Sequence, residues 1–122
     1  MRPATREDTF PVALGGLILG FIALLVCVQR GYLLLYGDAV AHLGIARRIL
    51  DSRNPGLVQL GGVWLPLPHL LMVPFVMKME WWQNGLAGAW PSLICYILSV
   101  VAIYRLARRI TTARWTFAAT AF

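Results

Sequence analysis

A carboxylate and an imidazole stand four residues apart in Tyr36-Gly37-Asp38-Ala39-Val40-Ala41-His42, and a second imidazole closes the stretch Trp64-Leu65-Pro66-Leu67-Pro68-His69. On a helix this spacing puts Asp38 and His42 on one side, so the two can act on one substrate or one ion. At about 100° per residue, Asp38, His42, Ile45 and Ile49 form one stripe, and Ala39, Leu43, Ala46 and Leu50 form the stripe beside it. Arg47, Arg48 and Asp51 fall on the opposite side. The reactive pair therefore sits within the apolar arc, where the helix should face protein or lipid, and the other charges should face water or headgroups. Structural roles compete with chemical ones. An Asp after Gly at the start of a helical pattern can cap the first turn through a carboxylate oxygen. His42 can be a packed or interfacial histidine, and His69 a surface one.

These residues lie in the one polar, ionisable region between two long apolar segments. The chain has 122 residues, 59% hydrophobic and 13% charged, with a mean hydropathy of +0.69. That is too apolar for an ordinary soluble domain and reads as a membrane chain. Its net charge of +6, from 11 Lys and Arg against 5 Asp and Glu, reads as topology determinants and headgroup contacts. No basic run with interleaved aromatics points to nucleic acid. Cys27 and Cys95 lie inside apolar runs, so neither a disulfide nor a CxxC metal site is indicated.

Phe10 to Val28 spans about 28 Å as a helix, close to a hydrocarbon core, and is read as a retained transmembrane helix over about residues 10–30. No small-x-small cleavage site follows it. Gly16 and Gly20 form a GxxxG that either admits a neighbouring helix or faces lipid. Residues 37–85 are too interrupted by Pro and Gly to span and are expected to form an external loop. Within it, Asp38 to Asp51 reads as an amphipathic interfacial helix with Arg47 and Asp51 available as an i, i+4 pair. Ser52 to Gly56 reads as a turn and Gln59 to Trp64 as a glycine-containing loop. Leu65 to Met79, with Pro66, Pro68 and Pro74, is expected to be an interfacial or re-entrant piece. Trp81 and Trp82 anchor the entrance to a second span over about residues 86–105, closed by Arg105, Arg108 and Arg109. With Arg114 these place that end in the cytoplasm, so both outer ends of the full spans are cytoplasmic and residues 37–85 face outside. Trp115 to Phe122 starts a further apolar run too short to cross, so the chain is expected to be the N-terminal part of a larger, multi-pass plasma-membrane protein.

An N-terminal span followed at once by an Asp, then an interfacial helix and a second span ending in arginines, resembles the GT-C glycosyltransferases. The nearer likeness is to the bacterial protein-mannosyltransferase-like members, and Gln59-Leu60-Gly61 with Trp64 to His69 also looks like a subset of these. In that superfamily an acidic residue of the first external loop lies at the active site, where it activates the acceptor or binds a metal; the matching position is Asp38. The donors are polyprenyl-phosphate-linked sugars. Many relatives carry two adjacent acidic residues here, whereas Ala39 follows Asp38, so no paired-carboxylate metal site is implied.

The resemblance implies an all-α membrane enzyme that moves a sugar from a polyprenyl phosphate to an acceptor on the outer face, with this portion inactive without the remaining spans. Asp38 would be the base or a metal ligand. His42 and His69 would either orient the groups that touch substrate or contact the substrate phosphate themselves, and Arg47 or Arg48 would attract the lipid phosphate. No cofactor is required by this reading, which leaves a divalent metal open and assigns no other metal ligand. The alternative is a non-catalytic membrane scaffold or transport subunit.

Overall fold

The structure, a computed structural model, describes residues 6–60 and 64–110, and it is helical, with no strand among the described residues. Five α-helices follow in order: α1 (Arg6–Gln29), α2 (Gly37–Arg48), α3 (Pro66–Val76), α4 (Met79–Asn84) and α5 (Leu86–Ile110). Single 3-10 turns lie at Tyr32–Leu34 and Leu57–Leu60. The expected third span from residue 115 falls outside the described residues.

Two of these helices, over Thr9–Gln29 and Leu86–Ile110, are long and apolar enough to cross a membrane. Their apolar side chains point mostly outward, with only 6% and 11% of the most apolar window buried. A soluble protein's core helix would be covered on most of that surface. The second helix continues past the expected boundary at residue 105 and carries Arg105, Arg108 and Arg109 on its last turns. Cations there complement the negative end of the helix.

The described residues divide into two compact units, one made of those up to Ala23 and from Leu93, the other of Leu24–Ser92. In the first, the GxxxG face of α1 meets α5. A Cβ on Gly16 would stand 3.5 Å from Val100, and one on Gly20 would stand 2.5 Å from Leu93 and 3.1 Å from Tyr96. The two glycines thus serve helix approach here and do not simply face lipid.

The second unit packs around Leu43 and Ala46 of α2, Val76 of α3 and Ala87 of α5, with Leu34, Met72, Phe75, Trp81 and Trp82 against them. The proline-rich stretch is a regular helix for a local reason. Pro66 is its first residue and Pro68 its third, where no intrahelical N–H bond is due, so only Pro74 removes one. Its 11 residues cover about 16 Å, which is too short to span a membrane.

Helix α4 has no counterpart in the expected pattern, which treated Trp81 and Trp82 as an anchor alone. It ends on Gly85 at φ 86°, where a Cβ would stand 2.8 Å from Leu33, so both the backbone and the close approach of the 3-10 turn require glycine. The Asn84 side chain then accepts from the Leu86 N–H at 3.0 Å and starts α5. The expected turn at Ser52 to Gly56 is present, with Gly56 at φ 139° donating its N–H to the Ile49 carbonyl at 2.9 Å. Cys27 and Cys95 are free thiols.

Candidate functional site

Helix α2 buries Leu43 and Ala46, and Ile49 just beyond its last residue is buried as well, while Leu50 of the expected apolar stripe is exposed. The buried arc is therefore centred between the two expected stripes. Asp38 and His42 lie along one border of that arc and Arg47 along the other. Arg47 accordingly does not face water, which corrects the wheel-based assignment. Its Nη1 donates to the Val76 carbonyl at 2.6 Å, its Nη2 lies 3.3 Å from Asp51 Oδ2, and its guanidinium stands 5.6 Å from the Trp82 ring centroid. Val76 is the last residue of α3, where a carbonyl has no intrahelical partner, so the guanidinium closes that end of the helix. Arg48 is exposed. Arg47, Arg48, Asp51 and Trp82 share the lining of an open groove of about 460 Å³.

On the other border, Asp38 does not cap its helix. The helix begins at Gly37 with Tyr36 before it and no side-chain cap, and Asp38 lies in the first turn, where its charge suits the positive end. Its Oδ2 lies 3.4 Å from His42 Nε2. His42 Nδ1 in turn lies 2.7 Å from His69 Nε2, so one hydrogen bond joins α2 to α3 across 27 residues of sequence. The two rings stack with centroids 4.9 Å apart at 28°, and Trp64 meets His42 edge-on at 4.8 Å and 63°.

His69 is fully buried, with no exposed surface. That departs from the expectation of a surface histidine, and the cause is Pro68 and Pro66, which start a helix whose fourth residue then points at α2. Burial disfavours the charged ring and lowers the His69 pKa below 6.5, and the charges of His42 and Arg48 act in the same direction. The Leu65 carbonyl opposes them. It does not reach hydrogen-bond geometry, and Nδ1 is left buried without a partner.

Of the five residues singled out from sequence, the fold joins Asp38, His42 and His69 in one chain of contacts and ties Arg47 to the opposite border of α2, leaving Arg48 exposed. Trp64 belongs to the cluster and received no role from the sequence. Its only signal was membership of the Gln59 to His69 stretch. Among the described residues no group of three or more His, Cys, Asp or Glu is placed to hold a metal ion. Over the described residues, the class this defines is all-helical, with two helices long and apolar enough to cross a membrane and a carboxylate–imidazole cluster in the segment between them. No protein family, curated protein or solved structure matches it.

Proposed function

We propose that this chain forms part of an integral-membrane glycosyltransferase of the GT-C type, in which Asp38 is the base that takes the acceptor's proton as a sugar leaves its polyprenyl-phosphate carrier. The reading rests on one observation above the others: the Asp38 carboxylate is not spent on capping and is held against an imidazole that is itself anchored. A carboxylate with one oxygen so engaged can offer the other to a hydroxyl. The exposed Trp64, which meets His42, supplies an apolar face of the kind on which a sugar ring stacks, and Arg48 at the open groove can attract a lipid phosphate. In this reading the segment between the spans faces outside and the arginine-rich end of α5 faces the cytoplasm.

The test is Asp38→Asn, introduced at the native locus and assayed in membranes for transfer from polyprenyl-phosphate sugars. Asn keeps the size and polarity of Asp and cannot take a proton. Expression should be preserved and the transfer rate should fall by about a hundredfold to ten-thousandfold, the range for general acid–base assistance. His42→Gln should do less harm. A fully active Asp38→Asn protein would end the catalytic assignment and leave a non-catalytic membrane component as the better account.

A further inference from the structure

Both nitrogens of His42 are engaged, Nε2 toward Asp38 at 3.4 Å and Nδ1 toward His69 at 2.7 Å. His42 therefore has no nitrogen free for a substrate, and His69, wholly buried, cannot touch one. Of the two roles the sequence offers them, orienting a reactive group or touching the substrate phosphate, the second does not fit His69. The geometry suits the first. We propose that His69 is a positioning residue that acts through His42, holding its ring so that an Nε2–H always faces Asp38.

The proton count supports this. A 2.7 Å contact between two ring nitrogens carries one proton, because two N–H groups facing each other at that distance repel. Three arrangements remain. If His69 donates, neutral His42 carries its proton on Nε2 and presents it to Asp38. If a cationic His42 donates to a neutral His69, it again presents Nε2–H to Asp38. The third, neutral His42 with its proton on Nδ1, sets a bare nitrogen lone pair against a carboxylate, and the charge repulsion disfavours it. Burial of His69 favours its neutral form. In both allowed arrangements Asp38 Oδ2 faces an N–H donor. Oδ1 is left for the acceptor hydroxyl. His69 thus stands to His42 as the outer partner of a metal-bound histidine stands to its ligand, fixing ring orientation from behind.

The effect on transfer rests on the proposed glycosyltransferase reading; the hydrogen bond itself does not. The chain has only two histidines, His42 and His69. In the ¹⁵N-histidine-labelled chain in micelles, one ring Nδ1 should therefore show a scalar coupling across the hydrogen bond to the other ring's Nε2. Absence of that coupling in a folded chain would overturn the inference whether or not the protein transfers sugar. Activity supplies the second arm. His69→Phe keeps ring shape and burial and removes the nitrogen, so kcat should fall about tenfold to a hundredfold with KM unchanged, the loss seen when an outer orienting partner is removed. His69→Gln, whose amide reaches about as far as Nε2, should recover most of the loss. Since His69 works through His42, adding His69→Phe to His42→Phe should lower the rate no further. Additive losses in the double variant, or equal losses in His69→Phe and His69→Gln, would assign His69 to packing alone. Lack of any transfer by the unaltered protein would remove the glycosyltransferase reading and leave the coupling measurement to decide the role of His69.

Discussion

Arg47 and Arg48 are neighbours of the same chemical type, yet their environments predict different consequences for removing the charge. In Arg47→Gln, three contacts go at once. The bond to the Val76 carbonyl, 2.6 Å long and made by a charged donor, contributes about 1.5–3 kcal/mol. The guanidinium over Trp82, 5.6 Å from the ring centroid, adds about 0.5–2 kcal/mol. The 3.3 Å pair with Asp51 adds at most about 1 kcal/mol, because that carboxylate is 69% exposed. The three share one side chain and are not additive, and Gln retains a shorter donor, so a net loss of about 2–3 kcal/mol is expected. That corresponds to roughly a 30- to 150-fold shift in the unfolding equilibrium. Denaturant titration in detergent micelles measures it, with tryptophan fluorescence as the reporter because Trp82 lies under the guanidinium. Arg48→Gln, at an exposed position, should stay within about 0.5 kcal/mol of the unaltered chain. Arg47→Gln and Arg48→Gln of equal stability would refute the assignment of Arg47 to the packed border of α2.

Gly20→Leu should destabilise the helix pair by about 1–3 kcal/mol through overpacking, since even a Cβ there would stand 2.5 Å from Leu93, whereas Gly15→Leu, with no atom within 4 Å of its Cβ, should be tolerated; thermal melts in micelles compare the two. The buried His69 predicts acid sensitivity. Its folded pKa lies below the ordinary 6.5, so the unfolded chain binds more protons, and the contribution of the neutral ring is whole above 6.5 and lost as pH falls from there toward the folded value. His69→Gln should therefore flatten the acid side of the stability–pH curve, and an unchanged curve would show that another group governs it. For orientation, with both native cysteines replaced by Ala, an impermeant maleimide should reach Asn54→Cys in intact cells and should not reach Arg109→Cys. The reverse labelling would invert the proposed topology.

Length and hydropathy alone determined the two long apolar helices, because a run of about 20 apolar residues has one low-energy arrangement of its backbone and needs no partner to define it. The proximity of Asp38 to His42 was equally legible, being a property of the helical repeat. The arginines at the end of α5 and the glycine turn at Gly56 followed from similarly local rules. Which border of α2 met what was a different matter. A helical wheel reports angles between residues but not the direction in which the core lies, so Arg47 read as a surface charge until α3 and α4 covered that side. The joining of His42 to His69 spans 27 residues and depends on how α3 docks on α2, which no local pattern encodes. Helix α3 was hidden for an opposite reason: three prolines argue against a helix by propensity, and only their register, two of them in the first turn, makes the helix permissible. Asp38 shows both limits together. Its nearness to His42 came from the helical repeat, whereas the helix start after Tyr36, which leaves its carboxylate out of the capping position, and the anchoring of the His42 ring by His69 were seen only in the structure.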